Sequence, residues 1–133
     1  VTITEVQITL VEDYRNRDDQ NIPRVAAYAS ITFDDAFVVH GVKVLSARAG
    51  HIVAMPDRRH VAPCPVCGTN NYMRAQYCNY CGSKLARLDP PRTRGGKPVW
   101  HSDVAHPTTP AMRSQVNEAV LREYFAALRA VEV

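Results

Sequence analysis

All four cysteines of this 133-residue chain lie in one short stretch. They read Cys64-Pro-Val-Cys67-Gly68 and Cys78-Asn-Tyr-Cys81-Gly82, with ten residues between Cys67 and Cys78. Two residues between cysteines let both sulfurs of a pair face into one concave turn. The glycine that follows each pair permits the positive φ at which backbone N–H groups approach the thiolates. Two such turns facing each other supply four sulfur ligands, the donor set of a tetrahedral structural Zn²⁺. A thiol redox site needs a single C-x-x-C beside a βαβ pattern. Neither pair has that context, and metal-bound thiolates are not free nucleophiles. The expectation is one structural Zn²⁺ per protomer, held by Cys64, Cys67, Cys78 and Cys81.

His60 and His101 flank this stretch, but four cysteines already complete a tetrahedral set. His40 and His106 lie outside it. No serine, cysteine or carboxylate constellation accompanies them, so they read as structural histidines and the chain as a non-enzyme. The acidic pair Asp34-Asp35 has the composition of a turn.

Net charge is +3, but it is unevenly placed. Between Asp57 and His101 stand eight basic residues (Arg58, Arg59, Arg74, Lys84, Arg87, Arg92, Arg94, Lys97) against Asp57 and Asp89, a net +6, leaving −3 for the rest. A concentrated positive charge suits a polyanion such as nucleic acid. Tyr72, Tyr77 and Tyr80 interleave with Arg74 and Lys84. They can stack on unpaired bases or fill the apolar core of a small module. The competing function is a protein-interaction adaptor, with the zinc module as docking element and its charge incidental.

The elements that must position these residues follow from periodicity. Residues 2–11 alternate as a strand, with Val6, Ile8 and Leu10 on one face. The charged, aperiodic stretch from Glu12 to Gln20 reads as an exposed loop. A second strand is expected from Arg24 to Phe33, a third from Phe37 to Ser46, broken lightly at Gly41, and a short fourth from His51 to Met55. The pattern then stops. Asp89-Pro-Pro-Arg-Thr-Arg-Gly-Gly-Lys-Pro98 has linker composition, and Val99–Ala105 is expected to resume the sheet as a fifth strand. Thr109-Pro110 opens a helix, with threonine as N-cap and proline in the first turn. Its apolar face is Met112, Val116, Ala119, Val120, Tyr124, Ala127 and Leu128.

The expected fold is therefore α+β. An antiparallel meander of about five strands carries one C-terminal helix, with a zinc ribbon inserted in the last hairpin. Residues 1–59 and 98–133 form a discontinuous α+β domain, and 60–97 form the inserted module. A single helix leaves part of the sheet uncovered, which favours a homodimer. No run of 18 apolar residues predicts a membrane span, and the first residues lack a secretory pattern. Paired knuckles without other cysteines fit a reducing compartment, the cytoplasm.

Several stretches together resemble one bacterial family. These are Ser30-Ile-Thr-Phe-Asp-Asp-Ala-Phe-Val-Val-His40 with its continuation to Leu45, Val53-Ala-Met-Pro56, Val104-Ala-His-Pro107 and Arg113-Ser-Gln-Val-Asn-Glu-Ala-Val-Leu-Arg-Glu-Tyr124. In order and spacing, over roughly residues 3–59 and 99–125, they are similar to the SpoVG family, the sporulation stage V protein G or septation-regulator proteins. The resemblance implies a small homodimeric α+β regulator that binds DNA and RNA and has no catalytic activity. It also implies nucleic-acid contacts at Arg58 and Arg59, after the Met-Pro turn, and at Arg113 at the helix start. Gln115 departs from a position where the family often has lysine. The larger departure is the module itself, some forty residues where the family has a short loop. A hairpin tip tolerates such an insertion because loop-closure entropy grows slowly with length. The insertion adjoins Arg58 and Arg59, so Arg74, Lys84, Arg92, Arg94 and Lys97 extend that basic site.

Overall fold

A computed structural model describes residues 1–11 and 24–131, so the loop expected over residues 12–20 lies outside the described residues. Strands β1 (Ile3–Leu10), β2 (Arg24–Phe33), β3 (Phe37–Ala47) and β4 (Gly50–Ala54) form an antiparallel meander in chain order. The helix α1 runs from Pro110 to Val131. Thr109 caps it as its sequence predicts: its Oγ1 accepts the Met112 N–H at 3.1 Å, and its carbonyl accepts the Arg113 N–H at 3.0 Å.

The expected alternation sets the core. Ala27, Ala29 and Ile31 of β2 face Val42 and Val44 of β3 and Val53 of β4, and Val116, Val120 and Tyr124 of α1 close over them. Two bulges adjust the register between β2 and β3. Val25 pairs with Leu45 and Ala27 with Val44, so Ala26 is an extra residue on β2, and both alanines are buried. Ala29 pairs with Val42 and Ile31 with Val39, so β3 carries its own extra residue at the His40-Gly41 step, where Gly41 has φ 81°. That is the light break expected in the third strand.

The turn between β2 and β3 explains Asp34-Asp35. Both have positive φ, 53° and 51°, as a type I′ turn requires, and aspartate tolerates that region better than most residues. The Asp34 carboxylate accepts the Thr2 N–H at 2.7 Å, and the Asp35 N–H donates to Thr4 Oγ1 at 3.0 Å. The pair serves the turn.

One expected element is placed differently. Only His101–Asp103 of the expected Val99–Ala105 strand is extended. It pairs with Asp57–Arg59 rather than continuing the meander, so the main sheet has four strands. The reason is chemical. His101-Ser-Asp has no apolar side chain to bury, and Asp57-Arg-Arg has none either, so neither gains by lying on the core. They pair with each other as β5 (Asp57–Arg59) and β8 (His101–Asp103), and between them β6 (Val61–Pro63) pairs with β7 (Asn70–Tyr72).

Chain contacts divide the molecule into two compact units, Val1–Pro56 with Ala105–Val133, and Asp57–Val104. The second is wider than the expected 60–97 because the β5–β8 ladder belongs to it. Among the described residues no helix is long and apolar enough to cross a membrane.

Candidate metal centre and basic surface

The two cysteine turns repeat one hydrogen-bond pattern. In the first, the Cys64 N–H donates to Thr69 O at 2.9 Å, and the Gly68 N–H to Cys64 O at 2.9 Å. In the second, the Cys78 N–H donates to Ser83 O at 2.8 Å, and the Gly82 N–H to Cys78 O at 3.1 Å. Gly68 and Gly82 have φ of 79° and 77°, the left-handed values for which a glycine follows each pair. The Val66 N–H points at Cys64 Sγ and the Tyr80 N–H at Cys78 Sγ, each at 3.4 Å. The shared motif thus dictates the shared fold of both turns.

The four sulfurs converge. All lie within 4.8 Å of one another, with Cys64 and Cys81 Sγ 3.8 Å apart and Cys67 and Cys78 Sγ 3.6 Å apart. Thiolates ~2.3 Å from one tetrahedral ion have edges of about 3.8 Å, and these two edges suit a four-thiolate metal site. Disulfides require sulfurs ~2.0 Å apart, and all four cysteines are free. The four cysteines stand close enough to bind one metal ion.

Electrostatics agree with the geometry. The amides of Cys81 and Tyr80, helped by Asn71 Nδ2 at 3.5 Å, bring the Cys78 thiol down to about 6. Ser83, whose hydroxyl lies 3.2 Å from Cys81 Sγ, lowers Cys81 as well. Cys64 is held above the ordinary thiol range. The amides of Cys67 and Val66 favour its thiolate, but burial and the neighbouring sulfurs of Cys81 and Cys67 outweigh them. Successive negative charges in one cluster are increasingly costly, and a divalent cation removes that cost.

Asn71 is the component that the cysteine spacing does not announce. It is buried, and it ties the two turns together. Its Nδ2 donates to Thr69 O at 3.0 Å as well as to Cys78 Sγ, while its Oδ1 accepts the Asn79 N–H at 2.8 Å. The equivalence of Thr69 and Ser83, each following the glycine, was the available signal for the shared turn. Nothing in the sequence marked Asn71.

Both flanking histidines are engaged elsewhere. His60 Nε2 hydrogen-bonds with Ser102 Oγ, and His101 lies between Asp57 Oδ2 at 3.4 Å and the Tyr72 hydroxyl at 3.2 Å. The sulfur cluster includes neither. Outside this unit, His40 Nδ1 hydrogen-bonds with Ser30 Oγ at 2.7 Å, and His106 Nδ1 lies 3.2 Å from Pro107 O.

Seven of the eight expected basic contacts fall in the second unit, at three places, and Arg113 belongs to the first unit, on the first turn of α1. Arg58 and Arg59 are exposed on β5, with the Arg59 guanidinium 4.9 Å from the centre of the Tyr72 ring. Arg74 and Lys84 sit beside the second cysteine turn. The Arg74 guanidinium lies 5.1 Å from the Trp100 ring, and Lys84 pairs with Tyr77 across a backbone bridge. Arg94 and Lys97 are exposed in the turn before β8. Arg92 is engaged internally, with Asp89 at 3.1 Å and Gly96 O at 2.9 Å. Tyr77 and Tyr80 do not form the module's core: they are 59% and 81% exposed.

Comparison with known proteins agrees with the motifs. The SpoVG family model matches residues 1–126. A septation protein SpoVG of Caldicellulosiruptor saccharolyticus is 30% identical over 122 residues, covering 92% of this chain and 98% of that one. Those of Heliobacterium modesticaldum and Staphylococcus carnosus are each 31% identical. They cover 89% and 86% of this chain, and 92% and 73% of their own lengths. With the match spanning both the four-stranded sheet and the capped helix, the chain belongs to the SpoVG family.

Proposed function

We propose that this protein is a nucleic-acid-binding regulator of DNA or RNA, and that its second unit is a zinc ribbon enlarging the basic binding surface. Zn²⁺ is the ion that an all-cysteine tetrahedral set favours, and here it would act as a structural tie. The observation that carries the reading concerns the two acids of the Asp57–His101 stretch. Asp57 already faces His101, and Asp89 already holds Arg92. Arg58, Arg59, Arg74, Lys84, Arg87, Arg94 and Lys97 are all exposed, and among the described residues none of them is ion-paired. Exposed cations without ion-pair partners attract phosphates.

The test is the salt dependence of binding. Each phosphate neutralised contributes a slope of about −0.9 on duplex DNA or −0.7 on a single strand, so four or five contacts give roughly −3 to −4.5. Replacing Arg58 and Arg59 together by serine is expected to weaken binding to every sequence and to flatten the slope by about one to two units. No binding to DNA or RNA at low salt defeats the reading. If deleting residues 62–96 leaves affinity and slope unchanged, the module acts instead as a protein-docking adaptor.

The protein is also proposed to act as a homodimer. The helix covers one face of the main sheet, and Tyr28, Val38 and Ile52 stand exposed on the other. A second copy placed there removes that apolar surface from water. Light scattering is expected to give twice the 14.8 kDa chain mass. A mass that stays monomeric at every concentration overturns this.

A further inference from the structure

The second cysteine turn has a groove at its base. Residues 73–77 and 84–88 run antiparallel there, tied by the Tyr77–Lys84 bridge and by the Leu85 N–H donating to Gln76 O at 2.8 Å. Their outer ends and Trp100 enclose a groove of 680 Å³. That is the size of a small-ligand site. Trp100 is fixed by backbone, since its carbonyl accepts the His60 N–H at 2.8 Å beside the β5–β8 ladder.

The lining is chemically one-sided. Arg74, Lys84 and Arg87 all face the groove, and no carboxylate is among the lining residues. Among the described residues, no acid pairs with any of these three. Like charges gathered around one concavity repel each other, and an arriving anion reverses that sign. The other feature is flat. The Arg74 guanidinium lies over the Trp100 ring, 5.1 Å from its centre, so a planar cation is layered on the aromatic face. Phosphate alone does not need such a wall, whereas an unpaired base does. A duplex keeps its bases stacked inside and its phosphates on a convex exterior, so it cannot place a base against a ring at the bottom of a groove.

Resting on the nucleic-acid reading above, we infer that this groove is a single-strand subsite in which an unpaired base stacks on Trp100 and Arg74 while Lys84 and Arg87 take the adjoining phosphates. Trp100 and Arg87 thereby join the binding residues. The subsite also depends on the cysteine cluster. Cys78 and Cys81 close the turn that joins the two walls, so an ion held there would fix the spacing of the groove.

Trp100 is the chain's single tryptophan, so its emission reports on the subsite itself. In the zinc-loaded protein, short oligo(dT) and oligo(U) are expected to quench that emission as they bind. An abasic strand of equal length is expected to raise anisotropy without quenching. A duplex of equal length is expected to bind more weakly and without quenching. Trp100→Ala is expected to weaken single-strand binding roughly 5- to 150-fold, the range for losing one base–aromatic stack, and Trp100→Phe to recover most of it. Should Trp100→Ala lose zinc or fold, the exposed pair Lys84→Gln and Arg87→Gln carries the test. It is expected to lower single-strand affinity at unchanged metal content. If oligonucleotides bind with unchanged emission and duplex binds equally well, the subsite is refuted and the broader reading stands. If no polymer changes anisotropy, the nucleic-acid reading itself falls.

Discussion

Cys78→Ser is expected to abolish the second unit's fold while leaving the first intact. Cys78 is buried and receives the amides of Tyr80 and Cys81, the Asn71 side chain and one edge of the sulfur tetrahedron. The unit around it has few alternatives. Its two regular ladders are three residues per strand. Its buried residues are few, and Asn71, Cys64 and Cys78 are among them. Small modules of this kind fold on their metal, whose apparent binding free energy is ~10–16 kcal/mol in zinc-finger peptides. That exceeds what so small a core supplies. The two units have separate reporters. Trp100 lies in the second unit, and α1, the one helix among the described residues, lies in the first. The variant is expected to retain the helical signal while zinc content drops below one per chain and tryptophan emission moves to that of an exposed ring. Full zinc content with native emission in Cys78→Ser would refute the assignment of the site.

Acid is expected to act as the mutation does. Binding needs thiolates. The Cys78 pKa is lowered on folding, from an ordinary 9.0 to about 6. Its stabilising contribution is therefore fully present above the ordinary value and is lost as pH falls through about 6. Cys81 shifts in the same direction. Protons compete with the ion for all four thiolates, so zinc content should fall as pH is lowered.

What could be read beforehand was local. Cysteine spacing with its following glycines located the cluster because both turns are closed by hydrogen bonds spanning five residues or fewer. Thr109-Pro110 located the start of the helix for the same reason. Strands β1 to β4 were legible because each buries one face and alternates accordingly. The partner of His101–Asp103 was not, because β5 and β8 are charged or polar on both faces and carry no periodicity to match. The same holds for the groove. Trp100 meets Arg74 only after the β5–β8 ladder has formed, and no spacing rule connects the two. Asn71 and the engagement of Asp57 and Asp89 belong to this class as well, polar contacts whose value depends on what lies opposite. The cations of the second unit were visible, but their separation into three places and the withdrawal of Arg92 were not.

Tyr124→Ala is expected to be the most damaging single truncation in the first unit. The sheet side of that core is built of small residues, with Ala26, Ala27, Ala29, Val42, Val44 and Val53 around Ile31. Alanines on β2 leave room that a larger group must fill, and Tyr124 is the largest fully buried side chain. Its ring also lies 5.2 Å from the His51 ring on β4, so it joins the helix to the far edge of the sheet. Truncating a buried aromatic residue to alanine costs about 3–5 kcal/mol, transfer and cavity terms together. Single domains are stable by about 5–15 kcal/mol, so the helical signal should melt at a much lower denaturant midpoint. Phe125 provides the comparison. It touches the same His51 ring edge-on but is 39% exposed, and Phe125→Ala should cost less than half as much. The second unit has its own tie, so zinc content and Trp100 emission should be unchanged in Tyr124→Ala below the midpoint of helix loss. Equal midpoints for Tyr124→Ala and Phe125→Ala would contradict the core. Simultaneous loss of helix signal and zinc would mean that the two units do not fold separately.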